Sequence, residues 1–212
     1  MSLHYLIREP QNLSPKTPLL VLLHGYGSNE EDLFSFVPNL PKHWLIVSFR
    51  APKSTLYGGY SWFDINLNNP ENFIDIAQAK EAVNLVSTEI EQLKNRYGLT
   101  SRTHLCGFSQ GGMLSYALAL NRPQWYQKVA CLSTYPEEQL IKERPFKKEM
   151  EALRFFISHG TDDAIIPIEW GQKAADLLYD LGGYFTFREY MSGHSVNQKN
   201  YIDLMAFMAE ES

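Results

Sequence analysis

Apolar residues occur along this chain in two rhythms. Seven short runs, "LHYLIRE", "PLLVLLHG", "WLIVSFRAP", "RTHLCGF", "KVACLST", "LRFFISHG" and "YFTFREY", are rich in β-branched and aromatic residues, and most end in Gly, Pro or a polar cluster. That pattern predicts strands. Between the later runs the period lengthens. In "NPENFIDIAQAKEAVNLVSTEIEQLKNRYG", Ile76, Ala79, Val83, Val86, Ile90, Leu93 and Tyr97 recur three and four apart, which puts them on one helical face. Glu71 and Asp75 stand at its start, Lys94 and Arg96 at its end, and Gly98 follows as a cap, in agreement with the helix dipole. A second helix, "QGGMLSYALALN" over 110–121, is stopped by Pro123 and is apolar enough to be covered on most sides against a sheet. Two more are predicted at "EWGQKAADLLYDLGG" and "VNQKNYIDLMAFMAE". Strands alternating with helices predict an α/β fold, a mostly parallel sheet of about seven strands with helices on both faces.

The 212 residues suit one domain, 1–212, with no internal repeat. The longest irregular stretch, 50–70, carries Tyr57, Tyr60, Trp62 and Phe63, and so many aromatics argue for an ordered loop. Net charge is −5 with Lys and Arg scattered apart from "KERPFKK", which argues against a nucleic-acid partner. No run is apolar for long enough to cross a bilayer, so integral membrane association is not expected. The first residues lack a basic flank followed by an apolar stretch, and the only cysteines, Cys106 and Cys131, lie in apolar segments as buried thiols, so the expected compartment is the cytoplasm.

One short stretch carries candidate chemistry. "LCGFSQGGM" surrounds Ser109 with Gly107 and Gly111, residues that weaken a regular element by roughly 0.5–1 kcal/mol each relative to Ala. The stretch follows an apolar strand and opens an apolar helix, as a nucleophile elbow does; a Gly-rich turn with an N-capping serine is the plainer alternative. The elbow would place the Ser109 hydroxyl and the Gln110 amide at the positive end of a helix, where an oxyanion is stabilised. A serine nucleophile needs a base and an acid. Of six histidines, His4, His43 and His104 have no motif around them, and His24 and His159 each precede a glycine at a strand end. His194 lies in the glycine-bearing loop "MSGHSVN" between the last strand and the last helix, where the order Ser, acid, His places the base. The acid is expected from "FFISHGTDDAIIP", in which Asp162 and Asp163 are equal candidates on spacing. A further oxyanion donor is expected from the turn His24-Gly25-Tyr26-Gly27 after an early strand. No metal or cofactor is called for: the spacing of His24, Glu30, Glu31 and Asp32 matches no common ligand motif, and those acids read as the first turn of a helix.

"LLHGYGSNEEDL", "GFSQGGM", "HGTDDAIIP" and "SGH", together with "SWFDI", resemble the phospholipase/carboxylesterase family of the α/β-hydrolase fold over nearly the whole chain. The resemblance implies Ser109 as nucleophile, His194 as base and Asp163, rather than Asp162, as acid. It implies an oxyanion hole formed by the amides of Tyr26 and Gln110. It sets Trp62 in the wall beside the nucleophile, with a core tryptophan anchoring the long loop as the equal alternative, and the aromatic loop with Tyr60 and Phe63 becomes a candidate substrate-binding surface. "CLSTYPEE" departs from the family's usual "LSG", putting Thr134 and Tyr135 at the border of the site. Ser28 stands where human-type thioesterases commonly have Asp, so the likeness is greater to bacterial members. The expected activity is cleavage of a small-molecule or acyl ester. The alternatives are a long-chain acyl thioesterase or lysophospholipase, and a ligand-binding protein of the same fold without turnover. A homodimer is compatible with the family, though no residue here specifies an interface.

Overall fold

The seven apolar runs become the strands of one sheet. The computed structural model describes residues 2–56, 58–66 and 73–210. In chain order the elements are β1 (Tyr5–Arg8), β2 (Leu19–Leu23), the one-turn helix α1 (Glu31–Phe34), β3 (Leu45–Phe49), a hairpin of β4 (Lys53–Ser54) and β5 (Tyr60–Ser61), and α2 (Ile76–Tyr97). Then come β6 (Thr103–Phe108), α3 (Gln110–Asn121), β7 (Tyr126–Leu132), the short α4 (Lys147–Met150), β8 (Arg154–Gly160), α5 (Ile168–Asp180), β9 (Tyr184–Tyr190) and α6 (Gln198–Ala209). The sheet order is β1-β3-β2-β6-β7-β8-β9, with β1 antiparallel to β3 and every other pair parallel.

Parallel strands need helical crossovers, and those helices cover both faces. Along β2, Leu19, Val21 and Leu23 enter one apolar cluster, which includes residues of α2, α3 and α5, while Leu20 and Leu22 enter another with Leu33 of α1 and Leu204 and Met208 of α6. The period of two along the strand thus divides one run between two cores. Helix α2 is capped as its sequence suggests: the Asp75 side chain accepts the Gln78 N–H, and Gly98 ends the helix at φ 63°. Glu71, also expected at its start, and Tyr57 lie outside the described residues.

Two sequence-based expectations need adjusting. β1 starts at Tyr5, so His4 flanks it, its carbonyl accepting the Arg50 N–H at 2.8 Å. The stretch 50–70 contains the hairpin β4–β5, pairing Lys53 with Ser61 and Ser54 with Tyr60. Two-residue strands are too short to leave a periodic signal. Cys106 and Cys131 are buried free thiols, and burial pushes the Cys106 thiol up to about 12.

The parallel strands all point their carboxyl ends to one rim. There β2 leads into His24, β6 into Ser109, β7 into Ser133, β8 into Thr161 and β9 into Met191. Ligands of open α/β sheets collect at such a rim because the connecting loops are free to vary there.

Candidate active site

Ser109 occupies a backbone conformation that serine rarely adopts, φ 52° and ψ −115°, between the end of β6 and the start of α3. Such a residue costs on the order of 1–3 kcal/mol and persists only where its surroundings over-determine it. The surroundings are specific. The Ser109 N–H donates to Leu132 O at 2.9 Å, and the Thr134 hydroxyl donates to Ser109 O at 2.8 Å. A Cβ at Gly107 would stand 2.1 Å from Gly111 O, and one at Gly111 would stand 1.9 Å from Leu23 O. Only glycine lets strand, turn and helix approach this closely. The two glycines flanking the serine are therefore required by close packing, and both lie far below any ordinary Cβ contact.

Three side chains remote in sequence converge at this turn. Ser109 Oγ lies 3.0 Å from His194 Nε2, and His194 Nδ1 lies 2.7 Å from Asp163 Oδ2. Asp163 Oδ1 accepts the N–H groups of Ile165 and Ile166, each at 2.9 Å. Burial by itself would raise the pKa of this carboxyl group, but hydrogen bonds from His159, His194 and the Ile166 amide outweigh it and hold the group well below the usual carboxylate range. An ionised Asp163 requires the proton at His194 Nδ1, which leaves the Nε2 lone pair facing the serine hydroxyl. The Phe108 ring packs against the imidazole with centroids 4.9 Å apart. Asp162, the neighbouring candidate, is exposed, and among the described residues its carboxylate is hydrogen-bonded at 3.5 Å by the Thr161 hydroxyl.

The turn after β2 approaches from the other side. A Cβ on Gly25 would lie 3.3 Å from Ser109 Cβ, so the Gly25–Tyr26 peptide is beside the nucleophile. The Ala51 N–H donates to His24 Nε2 at 3.0 Å, which assigns the ring proton to Nδ1; that N–H donates in turn to Gly25 O at 2.7 Å. In a trans peptide the following N–H points opposite the carbonyl, so the orientation of the Tyr26 amide is set by the His24 ring. Burial lowers the His24 pKa and keeps the ring neutral. Among the described residues, neither the Tyr26 N–H nor the Gln110 N–H has a backbone acceptor.

The aromatic loop takes the second of the two readings for Trp62, a core ring that anchors the loop. Trp62 and Phe63 are 1% and 0% exposed, so neither presents a free surface to a substrate in this structure. Large apolar rings next to a deep sheet are drawn into the core. Trp62 Nε1 donates to His24 O at 2.9 Å, and its backbone N–H donates to Gln110 Oε1 at 3.0 Å. Gln110 Nε2 donates to Phe63 O at 2.7 Å. Tyr60 is half-buried with the Arg50 guanidinium 4.6 Å above its ring, while its backbone pairs with the oxyanion-side turn through Gly27 N–H to Tyr60 O at 2.9 Å and Tyr60 N–H to Ser28 O at 2.7 Å. Arg50 in turn is paired with buried Glu30, Nε to Oε2 at 2.6 Å.

Sequence reasoning considered only the backbone of Gln110 and missed its side chain as the clamp on residues 62 and 63. The signal was present, because an amide side chain offers an acceptor and a donor side by side and can bond the N–H and the carbonyl of a neighbouring backbone at once. Glu30 stands at the start of α1, as the sequence suggests, and its side chain is also the buried partner of Arg50. Among the described residues no group of three His, Cys, Asp or Glu side chains is placed to hold a metal ion. No helix among them is long and apolar enough to cross a membrane.

Comparisons with known proteins agree with this architecture. The chain matches the phospholipase/carboxylesterase family over residues 6–211. It is 32% identical to carboxylesterase SOBER1 of Arabidopsis thaliana over 195 residues, covering 85% of this chain and 84% of that one. It is 26% identical to acyl-protein thioesterase 1 of Emericella nidulans over 92% of this chain and 91% of the relative. The solved structure of esterase PE8 superposes with a TM-score of 0.85 at 25% identity, covering 98% of both chains. With a sheet, an elbow and a rim of this kind matched along nearly its full length, the chain belongs to the phospholipase/carboxylesterase family of α/β-hydrolases and is a hydrolase of carboxylic esters.

Proposed function

We propose that this hydrolase acts through an acyl-enzyme on Ser109, with His194 as general base and acid and Asp163 as the group that orients it. The observation that carries the reading is the continuous hydrogen-bonded path from Ser109 Oγ through His194, 3.0 Å at Nε2 and 2.7 Å at Nδ1, to Asp163. Ser109 Oγ attacks the ester carbonyl carbon as its proton moves to Nε2, and the Tyr26 and Gln110 amides receive the oxyanion. Collapse of the tetrahedral intermediate breaks the carbon–alkoxide bond, and the leaving alcohol takes the proton from Nε2. Water then repeats the sequence, giving up a proton to Nε2 as it attacks the acyl group, and carboxylate and free Ser109 result.

A serine-reactive phosphonate read by intact mass tests the nucleophile. Wild type gains one adduct and Ser109→Ala gains none. Equal labelling of the two would place the nucleophile elsewhere, and absence of labelling with absence of turnover would favour the ligand-binding alternative.

One observation favours a second reading, turnover of long-chain acyl esters or thioesters. A cavity of about 310 Å³ has Phe73, Tyr135 and Trp170 on its wall, together with Glu137, Glu138 and Lys173. Its link to the elbow is Tyr135, which follows Thr134, the residue whose hydroxyl donates to Ser109 O. Rates on esters and thioesters of increasing acyl length separate the readings: a maximum at short chains excludes the lipid one. The compartment in either case is the cytoplasm, in keeping with two unpaired buried cysteines. The reading includes a homodimer on family grounds alone, and sedimentation at working concentration decides between the mass of one chain and of two.

A further inference from the structure

His159, the penultimate residue of β8, has no part in the acyl transfer above, yet its ring lies against the group that orients the base. It is fully buried. Nε2 is 2.8 Å from Ile166 O and 3.4 Å from Asp163 Oδ2, the oxygen that also takes His194. A carbonyl oxygen can only accept, so Nε2 carries a proton. Nδ1 has no hydrogen-bond partner among the described residues. It faces Gly171 inside α5, where a Cβ would come within 2.4 Å of it.

Two unfavourable features thus meet at one ring. Glycine inside a helix weakens it relative to alanine, and a buried nitrogen without a partner is also costly. A side chain that only filled space here would need neither feature, because an aliphatic residue of similar volume has no polar atom to orphan. The feature that an aliphatic side chain could not supply is the Nε2–H. It holds the carbonyl of Ile166, and the amide of that same residue holds Asp163 Oδ1.

We propose that His159 is a positioning residue for the reaction: with its Nε2–H on Ile166 O and beside Asp163 Oδ2, it fixes the 163–166 turn so that the carboxylate stays aimed at His194. Gly171 leaves room for the ring in that place. The proposal rests on the reading of Asp163 as the triad acid.

Gln and Met have nearly the same shape and differ here in one respect, since only Gln offers an N–H where Nε2 lies. His159→Met should lower kcat on a short-chain ester by about ten- to a hundredfold with KM changed less than about twofold, as for a misaligned catalytic group. The acidic limb of kcat/KM should shift as well, because the carboxylate no longer keeps its aim at the base. His159→Gln should restore both. Gly171→Ala, which pushes the ring from its seat, should act like His159→Met and add little to it in the double variant. Wild-type kcat and limb in His159→Met, or equal damage in the Gln and Met variants, overturns the proposal. If the Met variant does not fold, wild-type kinetics in Gly171→Ala do the same. Asp163→Asn run in parallel keeps the two readings apart: inactive Asp163→Asn beside an unaffected His159→Met removes only the role of His159, while an active Asp163→Asn removes the triad assignment as well.

Discussion

Gln110 Oε1 accepts the backbone N–H of Trp62 at 3.0 Å, and the other end of the same amide donates to Phe63 O at 2.7 Å. The residue after the nucleophile thus ties the aromatic loop to the elbow, and its side chain is 2% exposed with both polar atoms used. Gln110→Leu leaves a buried N–H and a buried carbonyl without partners, each costing about 1–3 kcal/mol. We expect a loss on the order of 2–5 kcal/mol in urea unfolding, with Gln110→Glu also impaired because its carboxylate faces the Phe63 carbonyl. Unchanged midpoints in both variants would show that the loop is held by packing alone.

The two adjacent aspartates differ in their surroundings, not in their chemistry. Asp163 is bound by two amides and His194, whereas Asp162 is exposed. Asp163→Asn should lower kcat by on the order of 10³–10⁴, the range set by losing the correct tautomer of the base, and Asp162→Asn should stay within about threefold of wild type. Steady-state rates of the two purified variants check this, and the opposite ranking would transfer the role of acid to Asp162.

Gly111 touches β2 so closely that any side chain must move backbone, its added Cβ falling 1.9 Å from Leu23 O. Gly111→Ala should therefore destabilise the fold by about 1–3 kcal/mol or more through overpacking, despite the higher helix propensity of alanine. Calorimetry reads it directly. An alanine variant melting at or above the wild-type temperature would mean that β2 and α3 can separate freely.

Stability below neutral pH should depend on His104. Its ring lies 4.5 Å from that of Trp44, Nδ1 accepts the Lys128 N–H at 3.2 Å, and burial, with the Lys128 charge second, lowers its pKa to about 3. The native ring is neutral, while in the unfolded chain it protonates near pH 6.5. Its contribution is therefore complete above pH about 6.5 and declines as the pH falls towards 3, by up to about 1.4 kcal/mol per pH unit. His104→Asn keeps an acceptor for Lys128 and removes the titration. Urea midpoints between pH 6.5 and 4 should fall less steeply in that variant, and equal slopes would exclude the group.

Much of this protein is written in local pattern. The inner strand runs are buried and divide their residues between two cores, and α2 carries its face, its Asp75 cap and its Gly98 stop, because period and capping depend on residues within a few positions of one another. The hairpin β4–β5 was not legible, since two paired residues carry no period. Trp62 and Phe63 were read as possible substrate contacts because aromatics in a long loop near a nucleophile suit a pocket wall. Their burial depends on residues of α3 and the turn after β2, far away in sequence.

The sequence by itself determined the α/β layering, the elbow at Ser109 and the small set of histidines and aspartates that could serve it. Each of these follows from side-chain type, spacing and the conformations that glycine allows. Spacing left Asp162 and Asp163 equal and the family resemblance pointed to Asp163; tertiary structure brings Asp163 to His194, and it alone decided that the Gln110 side chain clamps residues 62 and 63 and that His159 lies against the carboxylate with Gly171 behind it. The reason is that hydrogen bonds and close approaches between groups dozens of residues apart depend on distance and direction in space, and neither is encoded in the neighbourhood of any one residue.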